Sequence, residues 1–254
     1  LNIFEWRMIW LTLPVFAFLS LGPFIKKLTT KHVVPSIEKM KDDTKNKISS
    51  KSLHRADAIK DSAFWSVIIW LMMVPGFTIT GIFFHQIHLS ELKNIPLWLW
   101  STNYIWYAIA AISGAFFSGI LVDKYSAHKV ASITQIPMLI ACLLLWFGNA
   151  NLLLAFFFIF FGLGGGMLQP MINSLLAERY GTRWLGEIKS LLWALSVFSS
   201  ALSPIIMGLM IDKGGGLTEL MILLVILSSF SLLSPIIYFN ILGFTNMNKR
   251  TNIK

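Results

Sequence analysis

The chain is 254 residues long, 56% hydrophobic and only 13% charged, with a mean hydropathy of +0.69. That apolar share exceeds the roughly 45–50% of a soluble domain and excludes an ordinary water-soluble globule, because the surplus has to meet lipid. The formal net charge of +9 would suit a nucleic-acid partner only if the basic residues formed one patch, and they are instead spread over the connections between apolar blocks.

In chain order, the first apolar block runs from Met8 to Ile25. Glu5 and Arg7 flank it and no small-residue cleavage site follows, so it reads as a transmembrane helix rather than a signal peptide. Next comes the only long polar connection, Lys26 to Asp61, whose ten basic residues and scattered acids leave too little apolar surface to order it; it reads as a linker. Its last part, Ser52 to Asp61, has the pattern of a short surface helix capped by Ser52, with Leu53, Ala56 and Ile59 toward lipid. Six further blocks follow: Phe64 to Phe84, Pro96 to Val122, Val130 to Phe147, Leu152 to Leu176, Leu191 to Ile211 and Leu220 to Leu242. Each approaches or exceeds the roughly 20 helical residues that span a hydrocarbon core of about 30 Å, and none alternates with the period of two that a barrel strand requires.

Of the 21 Lys and Arg residues, all but Arg7, Lys93 and Lys213 fall in one set of alternate connections or in the C-terminal tail. The positive-inside bias therefore places the linker and the C-terminus in the cytoplasm. The expected fold is an all-α membrane protein of seven transmembrane helices. It divides into residues 1–25, the linker 26–61, and a bundle with a short cytoplasmic tail over 62–254, whose six helices split into a 3+3 inverted repeat. The helix of residues 1–25 has no partners of its own and reads as the end of a preceding bundle.

Polar stripes at helical spacing are the candidate functional faces. Thr78, Gly81, His85 and His88 share a face of the second block; Asn103, Tyr107, Ala110 and Gly114 one of the third; Gly162, Gly166, Gln169 and Asn173 one of the fifth; Ser196, Ser200 and Ser203 one of the sixth. Glycines and serines at such spacing read first as helix packing. The amides of Gln169 and Asn173 are costlier to bury, so they either pair with neighbouring helices or face an aqueous cavity. Pro75, Pro170 and Pro204 predict bends. His85 sits where the second block ends, suited to an interfacial hydrogen bond or to protonation near neutral pH. No Asp, Glu, Lys or Arg lies deep in any block, so a proton relay on a buried carboxylate is unsupported. Nothing has the spacing of a metal site or a catalytic cluster: the histidines, His32, His54, His85, His88 and His128, are scattered, and no cofactor motif is present.

The run Gly119-Ile-Leu-Val-Asp123-Lys124-Tyr-Ser126-Ala127-His128-Lys129 resembles the loop signature of the major facilitator superfamily (MFS), with Ser126 at the usual turn glycine and Ala127 at an expected basic position. Tyr180-Gly181-Thr-Arg183-Trp-Leu185-Gly186-Glu-Ile188-Lys189 resembles the loop before the eleventh helix of bacterial members, and Glu5-Trp6-Arg7 their entry to the sixth, with Glu5 in place of glycine. The resemblance covers essentially the whole chain. It implies helices six through twelve of a transporter in a cell membrane, of the bacterial inner-membrane type, whose N-terminal half is missing here. It also implies a solute site on the second, third, fifth and sixth blocks, at Gln169, Asn173, Asn103, Tyr107, Thr78 and His85. Gly119, Asp123, Lys124, Lys129, Arg183 and Lys189 would form a conformational latch, with Asp123 approaching the start of the eleventh helix near Gly186 to Leu191. Phe84-His85-Gln86 is similar to the branch of monocarboxylate-type carriers, yet those that carry organic anions use a basic residue in the eighth or eleventh helix, and the matching blocks have none. The implied partners are the lipid bilayer, a small solute and the missing half, and the implied mechanism is alternating access, secondary active or facilitative. A non-transporting receptor or assembly factor on the same bundle is the alternative, since a fold does not dictate a function.

Overall fold

The computed structural model describes residues 8, 12, 14–16, 19, 53–148 and 151–242. The chain separates into two compact units, Leu1–Lys51 and Ser52–Lys254. In the first unit Met8, Thr12, Pro14, Val15, Phe16 and Leu19 are helical; the rest of the first apolar block, Ser52 and the tail beyond residue 242 lie outside the described residues.

Among the described residues, the second unit holds six helices long and apolar enough to cross a membrane. A short helix α1, Arg55–Lys60, precedes them. The six are α2 (Phe64–Phe84), α3 (Leu97–Tyr125), α4 (Ala127–Phe147), α5 (Leu152–Tyr180), α6 (Leu185–Asp212) and α7 (Leu217–Phe239). All but α2 outrun their apolar blocks at one end or both, α6 and α5 the furthest: α6 begins at Leu185 rather than Leu191, and α5 continues four residues past Leu176. Hydropathy marks the stretch that matches hydrocarbon, whereas the hydrogen-bonded ladder continues through any polar turn whose side chains find water or a partner.

Neighbouring helices form a sequence of contacts in which α3 packs on α5, α5 on α4, α4 on α7, α7 on α2 and α2 on α6. The margins are therefore α3 and α6, each with only 22% of its most apolar window buried against 61% for α2. One core cluster, including Phe64, Ile68, Leu175, Tyr180 and Ile188, fills the end that carries Lys124, Lys129, Arg179, Arg183 and Lys189, here the basic end. A second, including Phe77, Trp100, Phe157, Phe161 and Met207, fills the opposite end.

Small residues set the closest approaches. A Cβ on Gly114 would come within 2.8 Å of the Leu163 carbonyl oxygen, and one on Gly162 or Gly166 would strike the backbone of Tyr107 or Ala111. Without Cβ atoms α3 and α5 meet backbone to backbone, and Ser118 Oγ donates to the Met167 carbonyl at 2.7 Å. On the other side of the bundle, serines of α6 satisfy carbonyls of α2 around Pro75: Ser196 reaches Met72 (3.4 Å), Ser199 reaches Met73 (2.9 Å) and Ser203 reaches Phe77 (2.7 Å). The carbonyl that Pro75 leaves without its ladder donor is that of Leu71, so these serine bonds go to other carbonyls and serve to join α6 to α2. Ser200 is not part of this row, because it bonds back to the Val197 carbonyl of its own helix; Ser199 takes its place.

Candidate functional site

The stripe on α5 divides by role. Gly162 and Gly166 are consumed by packing on α3, whereas Gln169 and Asn173 are half-buried, and the Oδ1 of Asn173 is shut from water without a hydrogen-bond donor among the described residues. On the same helix, Gly165 has the Tyr107 hydroxyl 3.3 Å and the Ile79 side chain 3.5 Å from where a Cβ would lie. Tyr107 is held by Phe83 and Phe161, with ring centroids 5.3 and 5.5 Å away. Phe83 also packs on Tyr104, whose hydroxyl donates to Gln86 Oε1, so an aromatic group lines the bundle above Gly165.

The other expected solute contacts are placed differently. Asn103 is buried and donates from Nδ2 to the Leu99 carbonyl at 2.8 Å, closing the turn that interrupts α3 near its start. Thr78 is completely buried and its Oγ1 has no partner among the described residues. His85 Nε2 lies 3.3 Å from the Pro204 carbonyl. A carbonyl only accepts, so this bond places a proton on Nε2 and ties the end of α2 to α6 at its proline. Through the six spans every Asp, Glu, Lys and Arg falls in the first or last two turns, which leaves the middle of the bundle to neutral groups.

At the basic end the sequence reading missed the strongest electrostatic feature. Asp61 accepts from Arg179 Nε at 2.6 Å and Nη2 at 2.9 Å, from the Tyr180 hydroxyl at 3.0 Å and from the Ala63 N–H at 3.3 Å. Its side chain is only 9% exposed. Burial by itself would raise the Asp61 carboxyl, but the Arg179 bonds and charge, with the Ala63 and Tyr180 donors, outweigh it and hold the group below its ordinary value. Tyr238 of α7 joins through Ser62 (2.8 Å) and through its ring, 5.7 Å from the Arg179 guanidinium carbon. One residue earlier, Glu178 Oε1 accepts the Ala127 N–H at 2.8 Å, and Oε2 lies 3.6 Å from His128 Nδ1. Glu178-Arg179-Tyr180 thus clasps α5 to the starts of α2 and α4 and to the end of α7. Sequence signals were present: an acid immediately before one apolar block and an Arg-Tyr pair just after another. By sequence alone Arg179 counts only toward the positive-inside bias.

The segment before α2 belongs to this clasp. The Leu53 N–H donates to the Tyr180 carbonyl at 2.9 Å, and the His54 ring stacks on Trp184 at 4.0 Å. The cap of α1 is His54, whose N–H is bonded by Asp57 at 3.2 Å, and Leu53 packs on the core rather than facing lipid, while Ala56 and Ile59 are exposed as expected.

Three of the expected latch residues, Asp123, Lys124 and Lys129, line an open cleft of about 660 Å³ between α3 and α5 together with Ser126, Ser174 and Glu178, whereas Gly119, Arg183 and Lys189 do not line it. Among the described residues Asp123 makes no ion pair, and its neighbours across the cleft come from α5 rather than from residues 186–191. Ser126 has φ +66°, the backbone that glycine adopts without strain, so the turn keeps a glycine conformation on a serine. A Cβ on Gly119 or Gly186 would meet nothing within 4 Å. Arg183 lies over the Trp184 ring at 5.2 Å, and Lys189 is half-buried in the first turns of α6.

Residues 98–252, well over half of the chain, match the sequence model of a family described as Major Facilitator Superfamily. No curated protein matches the chain.

Proposed function

This chain belongs to the major facilitator superfamily, a family of membrane transporters, and from that premise we propose that its six-helix bundle is the C-terminal half of an alternating-access carrier for a neutral, hydrogen-bonding solute. The observation that carries the solute site is Asn173, whose carbonyl oxygen is buried without a donor one turn from the half-buried Gln169. An orphaned amide oxygen in an apolar bundle costs roughly 1–3 kcal/mol, and a solute hydroxyl or amine that donates to it would recover that loss. Tyr107 and Gln169 supply further neutral donors and acceptors, and the absence of ionised side chains from mid-bundle disfavours a charged solute.

What supports the 3+3 repeat is the correspondence between α2 and α5. Each carries an interior proline, Pro75 or Pro170, and each has a buried polar atom without a partner three residues later, in Thr78 or Asn173. The second members of the two triplets, α3 and α6, are the two margins. A second six-helix bundle supplies the opposite wall of the cavity and covers these margins. The open surfaces at Gly119 and Gly186 leave room for its helices, and Asp123, Lys124, Lys129, Arg183 and Lys189 form the latch that separates as the carrier opens. The basic end faces the cytoplasm, as the positive-inside bias requires.

In cells that express the transporter, uptake of neutral sugars, polyols and nucleosides is compared with uptake of organic anions and cations. Gln169→Ala and Asn173→Ala are each expected to raise KM for the transported neutral solute by about threefold to tenfold, the loss of one hydrogen bond of roughly 0.5–1.5 kcal/mol, at unchanged protein abundance. Unchanged KM in both variants would return the two amides to helix packing.

A further inference from the structure

α1 and the start of α2 present a surface that none of the preceding contacts uses. Ala58 is completely buried, which fixes the rotation of α1 and turns Arg55, Ala56, Ile59 and Lys60 outward. The indole Nε1 of Trp65 donates to the Ile59 carbonyl at 2.7 Å, so this ring, 51% exposed, lies against the C-terminal end of α1 beside Ile59, itself 39% exposed. The acids of the neighbourhood are already engaged: Asp57 on the His54 N–H, Asp61 on Arg179 and Tyr180. Arg55 and Lys60 are exposed and have no partner among the described residues. The result is a pair of unneutralised cations flanking two exposed apolar side chains.

Its depth in the membrane follows from the chain. α2 enters the apolar layer at Phe64, so α1 and Trp65 lie at the boundary between hydrocarbon and head groups. Tryptophan favours that boundary, and a short helix with an apolar face and cationic rim settles there against negatively charged lipid. We infer that the surface formed by Arg55, Ile59, Lys60 and Trp65 binds an anionic phospholipid of the adjoining leaflet, its phosphate between the two cations and its upper acyl chain on Ile59 and Trp65. Because the segment after this surface is bonded to Arg179 and Tyr180, the bound lipid would sit directly against the clasp at the end of α5. Anionic lipid then steadies the basic end of the bundle.

Dioleoylphosphatidylglycerol or dioleoylphosphatidylcholine is titrated into the detergent-purified chain, and retained lipid is counted by native mass spectrometry. The wild-type chain is expected to bind phosphatidylglycerol more tightly than phosphatidylcholine. Since each basic residue near a charged leaflet contributes about fivefold, Arg55→Gln/Lys60→Gln should raise the apparent Kd for phosphatidylglycerol by at least about tenfold. The same variant should leave phosphatidylcholine binding and the melting temperature unchanged, since both side chains are exposed. Replacing Lys39, Lys41, Lys45 and Lys47 together by Gln tests whether the charge of the linker, and not this surface, holds the lipid, and should leave the phosphatidylglycerol Kd unchanged. Equal affinity for the two lipids, an unchanged Kd in the Arg55/Lys60 variant, or a loss confined to the four-lysine variant would each overturn the assignment.

Discussion

Asp61→Ala is expected to lower the unfolding free energy of the bundle by about 3 kcal/mol, read as a fall in midpoint when the purified chain is denatured and followed by tryptophan fluorescence. The substitution strands Arg179, whose side chain keeps only 26% exposure, and removes the acceptor of the Tyr180 hydroxyl and of the Ala63 N–H. Breaking one side of a buried ion pair typically costs about 3–5 kcal/mol, and the partial exposure of Arg179 puts this case at the lower edge. Most of that cost is an uncompensated charge, so Asp61→Ala/Arg179→Met should be more stable than Asp61→Ala alone. The pH dependence has a definite sign. Because the folded-state Asp61 carboxyl lies below its unfolded value of about 3.9, its stabilisation is fully present above that value and is lost only as pH falls through the lowered one. The difference between wild type and Asp61→Ala should therefore be constant from about pH 5 to 8 and close only in stronger acid. A double variant no more stable than the single one would mean that the pair itself, and not the stranded charge, carries the effect.

Gly166→Leu should have an effect at least as large, by preventing assembly of α3 on α5. A Cβ at this position already strikes the Ala111 backbone, and backbone cannot rotate aside as a flexible side chain can. Overpacking by even a methylene or two costs about 1–3 kcal/mol, so Gly166→Ala should lose roughly 2 kcal/mol and Gly166→Leu should leave little monodisperse protein on size-exclusion chromatography. Gly119→Leu is the matched control. Nothing lies within 4 Å of a Cβ there, and leucine favours the helix over glycine, so this chain should fold as well as the parent. Equal loss in both variants would assign the effect to lipid insertion or synthesis and not to the crossing of α3 and α5.

The parts of the fold that were legible in the sequence are those set by bulk transfer to lipid. Six blocks from Phe64 onward coincide with the six spans because about 20 apolar residues have one low-energy placement in a bilayer. Polar pairing across distant segments was not legible. Asp61 and Arg179 are 118 residues apart, and only the folded bundle brings them together, so each looked like an ordinary interfacial charge. The helix ends were misjudged for the same reason, since Glu178 and Arg179 extend α5 by finding partners that hydropathy does not see. At the solute site the sequence distinguished chemistry better than direction. The stripe from Gly162 to Asn173 is a true helical face, but spacing alone does not say that Gly162 and Gly166 turn to α3 while the amides stay half-open. Ser199 was passed over for Ser200 because both lie near the face of α6 that meets α2, and the difference is one step of rotation.

The most direct test of a neutral solute path along α5 is the water accessibility of that helix at mid-bundle. Single cysteines at Gly165, Gln169 and Asn173, and at Leu168 and Ile172, are introduced with Cys142 replaced by serine, and reacted with a hydrophilic methanethiosulfonate in the intact transporter. Leu168 and Ile172 are 6% and 1% exposed and belong to the packed face. The thiolate that reacts exists only where water reaches it, so labelling at 165, 169 and 173 should be at least about tenfold faster than at 168 and 172. Slow labelling at all five positions would contradict a cavity on this face and leave Gln169 and Asn173 as packing residues.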